Sequence, residues 1–112
     1  MSSKVVLITG ANTGIGYQIV RALCTSTHPY TIIVGGRSPP KVQEAITSVQ
    51  KEFPDTKSNL SPIQIDIESD DSINQAFSEV KSKFGKLDVL VNNAGTAQKV
   101  QDGKGALLTE TD

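Results

Sequence analysis

The chain has 112 residues, of which 37% are hydrophobic and 21% charged, so its composition is typical of one small folded domain rather than a disordered or fibrous protein. The formal net charge is −1 at pH 7, with Lys and Arg spread along the chain, which argues against nucleic acid as a partner. The sequence has neither a secretory signal nor the ~18 consecutive apolar residues of a membrane span, and it therefore predicts a cytoplasmic protein.

Four short apolar runs alternate with three helical patterns along the chain. Residues 5–8 and 31–34 are typical of strands covered on both faces, the alternation at 63–67 predicts a strand near the margin of a sheet, and 87–91 predict a fourth strand. The helices are predicted from apolar stripes at helical spacing, formed by Ile15, Ile19, Ala22 and Leu23, then by Val42, Ala45, Ile46, Val49 and Phe53, and then by Ile73, Ala76, Phe77, Val80 and Phe84. This order predicts the α/β class: a Rossmann-like doubly wound parallel sheet, incomplete, with about four strands alternating with helices.

Residues at the ends of these elements support the same order. Ser69 is a candidate N-cap of the third helix and Gly85 a candidate C-cap. Cys24 falls in the first helical pattern, where a small buried residue fits, so we interpret it as a packing residue. The final stretch, residues 96–112, is expected to be irregular or mobile because it contains two glycines and no clear periodicity.

A glycine-rich turn, residues 9–16, connects the first predicted strand to the first predicted helix. Gly10 allows a sharp reversal, Gly14 removes the Cβ that would block a close phosphate, and Gly16 lets the helix lie near the strand. The start of the helix presents unpaired N–H groups and a partial positive charge to an anion. Because the turn lies between an apolar strand and an apolar-striped helix, it predicts binding of a dinucleotide pyrophosphate rather than a purely structural turn.

The end of the second strand indicates which dinucleotide binds. An acid about 20 residues beyond the glycine turn would bind the ribose of NAD, but Gly36 occupies that place and Arg37 follows it. A guanidinium suits the 2′-phosphate that distinguishes NADP, so the sequence predicts NADP in preference to NAD. The alternative is a solvated loop arginine, with Ser38 only capping the next helix.

Taken together, these segments resemble the short-chain dehydrogenase/reductase family. Thr9-Gly10-x-x-x-Gly14-Ile15-Gly16 is similar to that family's cofactor turn, Asp66 falls at the end of the third predicted strand, and Asn92-Asn93-Ala94-Gly95 is similar to the motif after its fourth strand. The resemblance covers residues 4 to about 96. It implies that residues 1–112 form the NAD(P)-binding Rossmann domain of the N-terminal portion of such an enzyme.

The resemblance also implies roles for individual residues. Asp66 would meet the adenine amino group, with the Ile67 backbone beside it, and residues 92–95 would stabilise the sheet and line the cofactor pocket. From the residues alone, Asp66 could instead brace the turn before Ser69, and the asparagines could satisfy buried backbone groups at a strand end. The candidate cofactor-binding residues are Gly10, Asn12, Thr13, Gly14, Ile15, Gly16, Arg37, Ser38, Asp66, Ile67, Asn92, Asn93, Ala94 and Gly95.

The sequence offers no candidate catalytic residue. The family's reaction centre is a Tyr-x-x-x-Lys pair with a serine and an asparagine, and neither Tyr17 nor Tyr30 has a lysine four positions later. The single histidine, His28, lacks the partner pattern of a metal site. Thr13 stands where many NADP-using members carry a basic residue, so the NADP prediction rests on Arg37.

The favoured function is the NADP-binding part of an oxidoreductase that transfers hydride between NADP(H) and a small carbonyl or alcohol substrate, truncated before its catalytic residues and inactive alone. The alternative is a non-catalytic nucleotide-binding or regulatory interaction module that associates with a second copy or with a complete homologue. A flavin-binding fold is disfavoured by the glycine turn together with the Asn-Asn-Ala-Gly segment. We expect the unpaired edge of the fourth strand to make the chain poorly soluble or dependent on a partner.

Overall fold

The computed structural model describes residues 3–11, 14–93, 98–102 and 107–110, the last two ranges as backbone only. In chain order, the elements in these ranges are β1 (Lys4–Thr9), α1 (Gly14–Cys24), β2 (Tyr30–Gly36), α2 (Pro39–Glu52), β3 (Asn59–Gln64), α3 (Asp70–Phe84), β4 (Val89–Asn92), β5 (Gln98–Asp102) and β6 (Leu107–Glu110). Within the part of the chain so described, each helix is too short or too polar to cross a bilayer.

The strands form one sheet in the order β3-β2-β1-β4-β5-β6. The first four in this order are parallel, so that Val6 of β1 lies opposite Ile32 of β2 on one side and Val89 of β4 on the other. This parallel part, whose strands alternate with helices along the chain, confirms the predicted Rossmann-like fold. β3 lies at the margin of the sheet, as its alternating pattern predicts.

The last two strands differ from the prediction. β5 pairs antiparallel with β4, with Val91 opposite Val100, and β6 pairs antiparallel with β5. The prediction of irregular structure is therefore wrong for residues 98–102 and 107–110, and so is the prediction that β4 has an unpaired edge. The physical reason is that the edge of β4 presents a row of N–H and C=O groups with which β5 pairs, and β5 in turn presents such an edge to β6. This pairing overrides the weak strand propensity of the polar β5 sequence.

The core lies on both faces of the sheet, because successive side chains of a strand point in opposite directions. In β1, Val6 and Ile8 pack in the cluster that includes residues of α1 and α2, whereas Val5 and Leu7 pack in the cluster that includes residues of α3. Cys24 is buried in the first of these clusters, which confirms its interpretation as a packing residue. Burial also raises the pKa of its thiol.

The buried face of α1 is rotated relative to the predicted stripe. Two residues of the predicted stripe, Ile19 and Leu23, pack against the first of these clusters. The other two do not, because Ala22 is exposed and Ile15 is 47% exposed, and the fully buried positions are Gly16, Val20 and Cys24. The rotation follows from Gly16, which packs directly against the preceding turn and so determines which side of the helix faces the sheet. The predicted stripes of α2 and α3 pack against the core.

The ends of α3 carry both predicted caps. Ser69 Oγ accepts a hydrogen bond from Ser72 N at 3.2 Å, and Gly85 adopts the left-handed conformation with φ +78°. At the start of α2 the situation differs, because Ser38 occupies the N-cap position without a side-chain hydrogen bond to the helix. Its carbonyl oxygen accepts from Val42 N at 3.0 Å.

Two polar contacts distant from the carboxyl ends of the strands hold elements together. Arg21 of α1 forms a bidentate ion pair with Glu52 of α2. Asp88, just before β4, accepts from Val5 N through Oδ2 at 2.7 Å, and its own N–H donates to Val5 O at 2.9 Å. The Val5 N–H, and after it the Lys86 ammonium at 3.1 Å, lower the pKa of the Asp88 carboxyl.

The marginal strand β3 (Asn59–Gln64) begins and ends earlier than the strand predicted at residues 63–67. It also contains a proline, Pro62. Ile65 N donates to Gly36 O of β2 at 3.0 Å. Because successive N–H groups of a strand point to alternate sides, the nitrogen of Pro62 lies on the side away from β2. The pairing of β3 with β2 is therefore unbroken, with Pro62 opposite Val34.

Candidate functional site

The carboxyl ends of the four parallel strands meet at one edge of the sheet, which is where open α/β sheets bind ligands. The predicted site residues that the structure describes all lie at or just beyond this edge: Gly10, Gly14, Ile15 and Gly16 follow β1, Arg37 and Ser38 follow β2, Asp66 and Ile67 follow β3, and Asn92 and Asn93 end β4. Asn12, Thr13, Ala94 and Gly95 lie outside the described residues.

The turn between β1 and α1 has the backbone that its glycines permit. Gly10 has φ +61° and Gly14 has φ +59°, both in the left-handed region that residues with a Cβ rarely adopt. A Cβ at Gly14 would meet nothing within 4 Å, so this side of the turn is open. Space is therefore open beside the first residue of α1, at the end of the helix where an anion would bind.

Gly16 is tightly enclosed. A Cβ built there would lie 2.6 Å from Gly10 O, 2.8 Å from Asn93 Nδ2 and 3.0 Å from Ala11 Cα. The close approach is thus to the turn and to the end of β4, and it brings the glycine turn and the asparagine segment into one packed unit. Asn93 Nδ2 also donates to Gly10 O at 3.4 Å.

Thr9 joins β1 to the asparagine segment through its hydroxyl. It is 2% exposed, its Oγ1 accepts from Asn93 N at 3.0 Å, and the hydroxyl proton can be donated to Asn92 Oδ1 at 2.9 Å. The Asn92 and Asn93 contacts are those of the predicted alternative in which they satisfy groups at a strand end. They also fix the geometry of the edge at which a ligand would bind.

Arg37 is the first residue after β2, and its side chain is exposed. Among the residues that the structure describes, no acceptor or carboxylate pairs with its guanidinium. Its backbone is held, because Gln64 Nε2 donates to Arg37 O at 3.3 Å. Within the described part of the chain, this edge of the sheet therefore carries a guanidinium without a partner, next to a carbonyl that Gln64 contacts.

Asp66 braces the turn between β3 and α3, as one of the two sequence interpretations requires. Its Oδ1 accepts from Glu68 N at 3.0 Å, its N–H donates to Ser72 Oγ at 2.8 Å, and its carbonyl accepts from Ser69 N at 3.0 Å. A carboxylate has acceptor capacity beyond one hydrogen bond, so this bracing leaves room for a further donor. Ile67 beside it packs against the α3 side of the core.

A cavity of about 120 Å³ lies beneath this edge, and its lining includes Thr9, Ile67, Leu90 and Asn92. It is smaller than the ~300–1,000 Å³ typical of small-molecule pockets. A dinucleotide would therefore lie along the edge rather than inside this cavity.

A larger cavity of about 380 Å³ lies at the opposite edge, between the α1–β2 and α2–β3 connections. The hydroxyls in its wall already contact the chain: Thr25 Oγ1 donates to Ala22 O at 2.7 Å, and Thr56 Oγ1 accepts from Ser58 N at 3.2 Å. Volume alone would favour this cavity, but none of the described glycine-turn or asparagine residues line it. We therefore place the candidate site at the carboxyl edge.

Three residues that shape this edge are absent from the predicted set. Thr9 and Ser72 are polar groups used inside the site, and Gln64 supports Arg37. Thr9 begins the glycine-rich motif and is a polar residue that ends an apolar strand, but the sequence did not predict a contact for its side chain. The partners of Gln64 and Ser72 become apparent only when β3 is placed beside β2 and when the turn after β3 is known.

A family model described as short chain dehydrogenase matches residues 4–110. The chain is 50% identical over 92 residues to the short-chain dehydrogenase/reductase eupG of Phoma sp, an alignment that covers 81% of this chain and 33% of that protein. The chain spans about a third of the length of the curated relatives it matches.

Solved structures have the same fold over most of this chain. Menthone neomenthol reductase from Mentha piperita has a TM-score of 0.76 and 32% identity, covering 85% of this chain and 32% of that one. L-sorbose reductase from Gluconobacter frateurii, solved in complex with NADPH and L-sorbose, has a TM-score of 0.71 and 30% identity, covering 88% of this chain and 35% of that one.

Proposed function

Since the chain belongs to the short chain dehydrogenase family, we propose that it forms the NADP-binding part of an oxidoreductase that transfers hydride between NADP(H) and a carbonyl or alcohol substrate. The observation that carries the proposal is the glycine turn at the carboxyl edge. It combines an open side at Gly14 with close packing at Gly16, so that the start of α1 is both rigid and accessible.

The pyrophosphate is proposed to bind at the N-terminus of α1. Gly14 has a positive φ and open space where a Cβ would lie, so a phosphate oxygen is able to approach the backbone closely. The helix dipole adds a partial positive charge at the same point. Asn12 and Thr13 belong to this proposal by their position in the turn, and Ile15, exposed beside it, offers apolar surface to the ligand.

The proposed preference for NADP rests on Arg37. Its guanidinium is exposed at the end of β2, where a carboxylate in its place would favour the ribose hydroxyls of NAD. A guanidinium instead forms bidentate hydrogen bonds with phosphate. Two structural relatives, L-sorbose reductase and the N-domain of a bacterial malonyl-CoA reductase, were solved with NADPH and NADP respectively.

The remaining residues of the edge are proposed to bind the adenosine and the nicotinamide ends. Asp66 and the Ile67 backbone would contact adenine, Ser38 would lie beside the 2′-phosphate, and residues 92–95 would line the pocket. The nicotinamide supplies or accepts the hydride when it is bound. Because the 112 residues contain no Tyr-x-x-x-Lys pair, we expect this chain to bind nucleotide without turnover, and its association with a second copy or a longer homologue stays a prediction.

Titration with NADPH and NADH, followed by nucleotide fluorescence, tests the proposal. Arg37→Glu is expected to reduce the NADPH-to-NADH affinity ratio at least about tenfold, because it replaces a charge-assisted hydrogen bond to phosphate by repulsion. Lys51→Glu, at an exposed position in the last turn of α2, makes the same charge change and should leave the ratio as in the wild type. A wild-type chain that binds neither nucleotide would refute the proposal.

A further inference from the structure

Gln64, the last residue of β3, makes a contact that reaches across to the proposed 2′-phosphate residue. Its Nε2 donates to Arg37 O at 3.3 Å. Its backbone lies opposite Gly36, the last residue of β2. The side chain of Gln64 therefore extends the pairing of the two strands by one residue beyond the point where the backbone ladder ends.

Three successive carbonyl groups around Arg37 each have a donor. Gly36 O accepts from Ile65 N at 3.0 Å, Arg37 O accepts from Gln64 Nε2, and Ser38 O accepts from Val42 N at 3.0 Å. The first and third donors are backbone groups that almost any residue supplies. Only the central donor depends on side-chain identity, and its acceptor is the carbonyl oxygen of Arg37 itself.

We propose that Gln64 is a positioning residue for Arg37 and thereby contributes to selectivity for the 2′-phosphorylated nucleotide, an inference that rests on the proposed function. The guanidinium is at the end of a long flexible side chain and has no partner among the described residues. Fixing the peptide from which it projects reduces the conformations it must give up when it binds a phosphate. Selectivity gained in this way requires no contact between Gln64 and the ligand.

The simpler interpretation is that the hydrogen bond only stabilises the edge of the sheet. In that case its loss would weaken the fold, and the binding of NADPH and NADH would fall together. NADPH differs from NADH only in its 2′-phosphate. A positioning role of Gln64 therefore affects only the part of the binding free energy that this phosphate contributes. The ratio of the two affinities therefore separates the interpretations.

The test compares wild type, Gln64→Met, Arg37→Met and the double variant by titration with NADPH and NADH. Gln64→Met keeps the length of the side chain and removes the donor, and it is expected to lower the NADPH-to-NADH ratio about threefold to fivefold. In the Arg37→Met background, Gln64→Met should leave the ratio unchanged, because it acts through Arg37. Gln50→Met, on the exposed face of α2, is the matched control and should have no effect.

Equal losses of NADPH and NADH affinity in Gln64→Met, or an unchanged ratio, would overturn the positioning role while leaving the proposed function intact. A lowered ratio that persists in the Arg37→Met background would also overturn it, because Gln64 would then act independently of Arg37. If Arg37→Met itself leaves the ratio unchanged, or if no variant binds either nucleotide, the proposed NADP site fails and the inference with it.

Discussion

At the scale of single residues, Gly16 has less room for a side chain than Gly14, Gly35 or Gly85. Gly16→Ala would place a methyl group 2.6 Å from the backbone oxygen of Gly10, which cannot move aside without distorting the turn. We expect the free energy of unfolding to fall by about 1–3 kcal/mol, although alanine at an open helix position is more stable than glycine by about 1 kcal/mol. Urea denaturation followed by circular dichroism measures the change. A variant as stable as the wild type would show that the turn is not closely packed.

Asp88 makes the stability of the fold depend on pH, and its contacts determine the direction of that dependence. Its carboxyl pKa is lowered, first by the Val5 N–H and then by Lys86, so its contribution is present above the unfolded value near 3.9 and is lost as the pH falls through the folded value. Asp88→Asn is therefore expected to cost about 1 kcal/mol at pH 7 and to flatten the decline in stability below about pH 4. Urea denaturation at pH 7 and pH 3 measures both effects.

The exposed carboxylate of Asp55 provides the control for this experiment. Asp55→Asn removes the same charge without breaking a contact to a strand, so its curve of stability against pH should follow that of the wild type. If Asp88→Asn follows it as well, the Val5 contact does not stabilise the fold.

The type and position of a residue in the sequence predicted some members of the candidate site. Other members were not predicted, and the reason is physical. Arg37 and Asp66 were predictable because a guanidinium and a carboxylate have characteristic partners and stand at recognisable positions. The contacts of Thr9 and Gln64 were not predictable, because they join segments that are 82 to 84 and 27 residues apart in the chain. Such contacts depend on which strands are neighbours, and short-range patterns do not contain that information.

At the scale of elements, the two serines that precede α2 and α3 make a matched pair. Ser69 Oγ accepts from Ser72 N, whereas Ser38 makes no side-chain cap hydrogen bond. Ser69→Ala is expected to lower the free energy of unfolding by about 1 kcal/mol, and Ser38→Ala should change it by no more than a few tenths. Urea denaturation of the two variants side by side gives the difference. Equal losses would mean that the cap of α3 does not contribute.

The type and order of the helices and parallel strands were predictable, but the orientation of α1 was not. Its apolar residues cover more than one face, and the pattern alone favoured a stripe through Ile15 and Ala22. Both are exposed, because the helix rests on Gly16, whose lack of a side chain lets it approach the turn. A glycine contributes nothing to an apolar stripe, so periodicity overlooks the residue that decides the packing.

At the scale of the whole molecule, the parallel part of the sheet follows from alternation of strands and helices, since such a chain requires crossovers of one hand. The antiparallel addition of β5 and β6 does not follow in this way. Both segments are short, and each is placed by the strand beside it: β5 pairs with the edge of β4, and β6 pairs with the edge of β5. The sheet is therefore mixed, with the predicted candidate site on its parallel half.

Pro62 has a consequence for how copies of this protein meet in a concentrated solution. A strand at the margin of a sheet is able to template the addition of a foreign strand, which is a common first step of aggregation. Pro62 removes one outward-facing donor from β3 and adds a ring where an incoming backbone would have to lie. Intermolecular β-pairing is thereby discouraged along the β3 edge of the sheet.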